Sequence, residues 1–219
     1  MRPSILTLVR LAILFMGLSA QAAFADFAPS AEAARPLAVG DKAPDFMASR
    51  VNNTPYKFSA GHLDRPAVLI FYRGGWCPYC NMQMADMHTV EPKLRAAGFD
   101  VLFVSTDRPE LLYSSLKDQT IDYTLLSDPQ LLAAQAFHIA FHVDDEIYAQ
   151  QLKYGVDLEK TTGTNLHALP VPSVFIVDKT GVIRFVFSNP DFRVRLRADE
   201  LWKVAEPLSP AAGLAGQQH

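Results

Sequence analysis

Ala67-Val68-Leu69-Ile70-Phe71-Tyr72-Arg73-Gly74-Gly75-Trp76-Cys77-Pro78-Tyr79-Cys80 is the stretch on which the fold turns. Ala67 to Tyr72 is a compact apolar run bounded by Pro66 and Gly74, which reads as a strand buried on both faces. A helix follows from Cys77 to Ala97, with Met84, Met87, Val90 and Leu94 at helical spacing and Gly98 as its stop. Pro92 falls inside it and predicts a kink. Asp100 to Ser105 is a second buried strand, so the three pieces form a βαβ unit.

Outward from that unit the pattern continues to alternate. Arg108 to Lys117 reads as a short helix, with Asp107 as its cap and Pro109 in its first turn. Tyr123 to Leu126 is a short strand and Pro129 to Phe137 a helix. Residues 138–167 lack a clean period and read as an insertion, partly helical. Val174–Val177 and Val182–Phe187 are strands joined by Asp178-Lys179-Thr180-Gly181, a hairpin turn by composition. Ala198 to Ala205 is a closing helix. The expected class is α/β: one central mixed sheet, parallel first and antiparallel late, with helices on both faces.

The chain has 219 residues, 20 basic and 23 acidic, for a net charge of −3. No Lys/Arg-rich run appears, which argues against a nucleic-acid partner. Residues 1–25 read as a secretory signal peptide. Arg2 and Arg10 make a positive start, Leu11 to Leu18 a short apolar core, and Ala23-Phe24-Ala25 a small-x-small cleavage site, with a cut after Ala22 as the alternative. The apolar core is too short to span a bilayer, so no stable membrane insertion is expected after cleavage. An exported, periplasmic location follows as the expectation. Residues 26–38 read as a flexible lead-in, 39–206 as one domain, and 207–219 as a loose tail.

Cys77 and Cys80 are the cysteines of the chain. Two residues apart, directly after a buried strand and at the start of a helix, they sit where unpaired N–H groups and the helix dipole stabilise a thiolate, the reactive form. Pro78 fits the first helical turn, and Trp76 can shield one side of the sulfurs. A disulfide closing so short a loop adds little stability, which favours a redox role over a structural one. A zinc site is the other reading. It would need further ligands, for which His138 and His142 are candidates, but the spacing fits no familiar set. No cofactor or metal is expected.

Three segments together resemble the AhpC/TSA (peroxiredoxin) family: Gly40-Asp41-Lys42-Ala43-Pro44-Asp45-Phe46, then Phe71 to Cys80, then Val171-Pro172-Ser173-Val174-Phe175-Ile176-Val177-Asp178. The resemblance implies a thioredoxin-like fold and a thiol-based cycle. In that cycle Cys77 and Cys80 reduce a peroxide and a thioredoxin-like protein recharges them. It also implies an alternative, exchange with protein disulfides. Laid on the family's motif, Cys80 takes the peroxidatic position and Cys77 the place of a Thr; the thioredoxin pattern instead makes Cys77 the nucleophile. The family's Arg beside the sulfur falls at Pro172, which resembles the cis-proline of thioredoxins and would dock a substrate backbone. Arg73 is then the nearest candidate cation for lowering a thiolate pKa. The acid that thioredoxins bury corresponds to Phe71, and the later cysteine of some peroxiredoxins to Ala85. The oligomeric state is not implied.

Overall fold

The computed structural model describes residues 27–113 and 124–210. Seven strands form one sheet in the order β2-β1-β5-β4-β3-β8-β9. They are β1 (Phe46–Arg50), β2 (Pro55–Phe58), β3 (Ala67–Tyr72), β4 (Asp100–Ser105), β5 (Thr124–Ser127), β8 (Ser173–Val177) and β9 (Ile183–Ser188). The central strands β3, β4 and β5 are parallel, and β8 joins β3 antiparallel, followed by the β8–β9 hairpin. The mixed sheet read from the sequence is therefore present, and it is the central sheet of a thioredoxin fold.

Every residue of β3 is buried. Its side chains alternate between two cores, as the pleat requires. Leu69 and Phe71 point into one, with Leu102, Val104 and Phe175, beneath α3 (Leu132–Ala136). Val68, Ile70 and Tyr72 point into the other, beneath α1 (Pro78–Met87), α2 (Glu91–Ala96) and α6 (Ala198–Ala205). Cys77 and Cys80 belong to this second core.

Several elements differ from the reading above for physical reasons. The single kinked helix 77–97 is two helices broken at His88–Val90. Pro92 cannot sit in a helix interior, and here it occupies the first turn of α2, where its missing N–H costs nothing. The helix expected from Pro129 starts only at Leu132, because Leu131 adopts a left-handed φ of 55° to close a turn onto the Asp128 carbonyl. At 108–117 only a 3-10 turn, Pro109–Leu111, forms among the described residues; 114–117 and Tyr123 lie outside them. Asp107 caps nothing there, since its side chain turns inward.

The insertion contains α4 (Asp145–Lys153) and α5 (Leu158–Thr162), flanked by β6 (Ala140–His142) and β7 (Ala168–Pro170), which pair as an antiparallel ribbon. These three-residue strands are too short to show a period. The lead-in is not loose from Phe27 onward. Ala28 bridges Phe141 through two backbone hydrogen bonds of 2.9 Å, and Ala34 is buried. Small alanine side chains let this backbone lie close against the ribbon edge. At the other end Glu206–Leu208 forms a further 3-10 turn and Ser209 is buried. The leader residues 1–25 lie outside the described residues.

Asp128, at the end of β5, is a fully buried carboxyl that accepts the Ala134 N–H at 3.0 Å and anchors α3 to the sheet. Burial pushes its pKa up to about 7, against the hydrogen bonds from the first turn of α3, which lower it. Between about pH 4 and pH 7 the folded chain keeps a proton that the unfolded chain has released, so stability falls as pH rises through that window. Asn at this position does not titrate. The stability margin of the wild type over Asp128→Asn should therefore shrink from pH 4 to 7, by at most about 1.4 kcal/mol per pH unit. Denaturant titration across the window measures it, and a flat margin would contradict the assignment.

Candidate active site

The site lies at the carboxyl ends of β3 and β4, where parallel α/β sheets open their clefts. After Tyr72 the chain makes a tight turn, Arg73 to Trp76, and Cys77 becomes the N-cap of α1 with Pro78 in the first turn. Gly74 has φ +146°, and a Cβ there would collide with the Trp76 indole and lie 2.7 Å from Asp107 Oδ1. Only glycine fits. The Gly75 N–H donates to Asp107 Oδ2 at 2.7 Å, and the Gly75 carbonyl accepts from Asn81 Nδ2 at 2.9 Å. The turn is thus clamped to β4 on one side and to α1 on the other.

The two cysteines are free thiols with unlike surroundings. Cys77 lines an open cleft of about 360 Å³, together with Arg73, Trp76, Tyr79, Ile147 and Phe192. Cys80 lies one helical turn behind it, away from the cleft, and both residues are buried. The Cys80 thiol and backbone N–H both hydrogen-bond the Cys77 sulfur; with Arg73 and Arg195 nearby, they lower the Cys77 pKa to about 6 against the cost of burial. Burial, and then the neighbouring Cys77, push the Cys80 thiol well above its ordinary value. The arrangement holds one thiolate at the cleft and one protonated thiol beneath it.

Arg73 is buried, with its guanidinium carbon 4.2 Å from the Phe192 ring centroid and 5.0 Å from that of Trp76, so that it packs over two π faces. It faces Cys77, as the sequence suggested. Trp76 lines the cleft and carries the small core of Val143, Leu158 and Leu169 from the insertion. Pro172 is a correction. Every described peptide bond is trans, and Pro172 lines a neighbouring stretch of the cleft beyond Arg73, with Phe192 and Leu169. The residue directly precedes β8, where a trans proline takes no N–H from the ladder. His142 stacks edge-on against Phe27, and His138 occupies a left-handed turn; among the described residues no three His, Cys, Asp or Glu side chains cluster to hold a metal.

Two site residues escaped the sequence reading. Arg195, on the loop before α6, places Nη2 3.3 Å from Cys80 Sγ and 4.0 Å from Cys77 Sγ. It supplies from elsewhere the cation that seemed lost at Pro172. More than a hundred positions separate it from the cysteines, and no local pattern marks it. Asp107 is the other, a carboxyl whose Oδ1 is buried without a hydrogen-bond partner among the described residues and whose pKa burial raises to about 7. The parallel pairing of Tyr72 with Ser105 was the available signal, because it sets Asp107 beside Gly74.

A model of the AhpC/TSA family matches residues 39–186. The chain belongs to the AhpC/TSA family. Peroxiredoxin Bcp of Escherichia coli (strain K12) is 30% identical over 163 residues, covering 70% of this chain and 87% of that protein. A thiol-disulfide oxidoreductase, ResA of Geobacillus thermodenitrificans, is more distant at 23% over 154 residues, 70% of this chain and 71% of its own. Among solved structures, a peroxiredoxin-like protein from Aquifex aeolicus superposes with a TM-score of 0.54 at 25% identity, covering 78% of this chain and 88% of that one. BcpB of Mycobacterium tuberculosis gives 0.56 at 20% identity, 83% and 98%. This AhpC/TSA chain is a thiol oxidoreductase of the peroxiredoxin class.

Ultraviolet titration of the reduced protein should show one thiolate forming with a midpoint near pH 6, abolished in Cys77→Ser. Cys80→Ala removes the thiol donor to that sulfur and should move the midpoint upward by about one unit or more. A midpoint unchanged in Cys80→Ala would show that the paired thiol contributes nothing.

Proposed function

We propose that this protein reduces peroxides with Cys77 as the attacking thiolate and Cys80 as the resolving thiol, and that a thioredoxin-like dithiol protein returns the pair to the reduced state. The observation that carries the reading is the asymmetry of the pair: both residues are buried, but Cys77 lines the cleft with its pKa lowered to about 6, and Cys80 lies behind it held as a thiol. The thiolate attacks the O–O bond, an S–O bond forms, and the leaving oxygen takes a proton to become water or an alcohol; Cys77 is now a sulfenic acid. Cys80 then gives up its proton and attacks the Cys77 sulfur. The S–S bond forms, the S–O bond breaks, and hydroxide leaves with that proton as water. The family's motif aligns Cys80 with the peroxidatic position, but a sulfur with no cleft in front of it meets no peroxide. The leader-like residues 1–25 support action after export, in a periplasmic setting where disulfides persist.

Stopped-flow oxidation by hydrogen peroxide, followed through Trp76 fluorescence, tests this. The rate should exceed that of a free thiol by orders of magnitude and rise from about pH 5 to a plateau above about pH 7, as the thiolate forms. Cys77→Ser should abolish it. Cys80→Ser should retain the attack and accumulate a sulfenic acid. A rate like that of an ordinary thiol would overturn the peroxidase reading, and loss in Cys80→Ser alone would reverse the two roles.

A further inference from the structure

We propose that two arginines divide the catalytic cycle: Arg73 serves the attacking sulfur Cys77, and Arg195 serves the second step by stabilising the thiolate of Cys80 as the disulfide closes. The proposal rests on the reading that Cys77 attacks first. Three observations carry it.

The first is position. Arg73 lines the cleft beside Cys77, where a peroxide arrives. Arg195 approaches the pair from the loop before α6 and is nearer the buried sulfur, 3.3 Å against 4.0 Å.

The second is how the Arg195 fork is held. Its Nε donates to the Phe192 carbonyl at 2.7 Å and its Nη1 to Gln83 Oε1 at 3.2 Å, so the loop and α1 together fix the plane and leave Nη2 aimed at Cys80. Arg73 is fixed differently, against the rings of Phe192 and Trp76. The two guanidinium groups are thus held by different contacts, though both use Phe192, and Arg195 reaches both sulfurs with Cys80 the nearer.

The third is the charge balance. In the reduced pair the Cys80 proton is shared toward the Cys77 thiolate, and that negative charge helps to keep Cys80 protonated. Attack on peroxide converts the Cys77 thiolate to a sulfenic acid, so the contribution of Cys77 to keeping Cys80 protonated is lost and burial is left for Arg195 to offset. The positive charge of Arg195, nearer to Cys80 than to Cys77, then favours the Cys80 thiolate. Its thiolate becomes accessible at the moment it is needed, and the released proton leaves with the hydroxide of the sulfenic acid as water. Before attack the same cation is shared with the Cys77 thiolate.

The test is single-turnover oxidation of the reduced, full-length protein by hydrogen peroxide. It resolves the attack and closure phases by Trp76 fluorescence in wild type, Arg195→Gln and Arg195→Lys. Dimedone is added as a sulfenic-acid trap, and the labelled cysteine is located by mass spectrometry. In Arg195→Gln closure should slow at least about tenfold and its pH midpoint move upward, while attack slows less than about threefold. Dimedone should label Cys77. Arg195→Lys keeps the charge without the fork and should recover part of the closure rate; retained attack in each variant shows that the fold is intact. If dimedone labels Cys77 and closure is unaffected by Arg195→Gln, the division of labour is overturned and the proposed function stands. If the label falls on Cys80, both fall together. Loss of attack in Arg195→Gln, with closure normal in the residual signal, also overturns the proposal, because Arg195 would then serve the first step.

Discussion

The hydrogen bond from Gly75 N–H to the buried Asp107 carboxyl is the constraint on which the site depends. It joins the loop after β3 to the end of β4, and so fixes where α1 starts. Placing a charged carboxyl in the interior is costly, and a pKa raised to about 7, which leaves the acid partly protonated near neutrality, reduces that cost. What it secures is a reactive sulfur at a helix N-cap, the position at which backbone N–H groups and helix dipole act together. Gly74 completes the arrangement, since any side chain there would displace either the indole or the carboxyl. The reactivity of Cys77 thus originates in a turn of four residues and one strand end.

The βαβ unit, the late hairpin, the mixed sheet and both cysteines were legible because each is a local signal: a fully apolar run, a turn composition, a fixed spacing. The helix break at His88–Val90 was half legible, as Pro92 announced a disturbance but not that one helix would end and another begin. Asp107 was misread for an instructive reason. Asp before Arg-Pro matches a helix-start pattern, and a one-dimensional reading prefers the local partner to the Gly75 amide across the sheet. Arg195 was not legible at all, because only the packing of α6 against α1 brings its loop over the cysteines. Ala198 N–H donating to Asp86 at 2.8 Å is part of that packing.

The family likeness and the geometry speak to different parts of the cycle. The match over residues 39–186 supports peroxiredoxin chemistry, whereas the proposed order of action rests on Cys77, and not Cys80, lining the cleft. A residue pattern carries over by position, but access to a cleft is a property of depth. Arg195 shows the same point: the cation near the sulfurs comes from the loop before α6 and not from the position of Pro172.

The packing of Arg73 against Phe192 and Trp76 has a consequence for the solution in which the protein works. A charge on the surface is screened by dissolved ions within about 8–10 Å at ordinary ionic strength. Arg73 packs against two rings and is almost fully withdrawn from water, so mobile ions have little room to enter between it and the Cys77 sulfur. Its field at the thiolate is set by covalent architecture and aromatic packing, not by the surrounding electrolyte. The contribution of Arg73 to the acidity of Cys77 is accordingly insulated from salt.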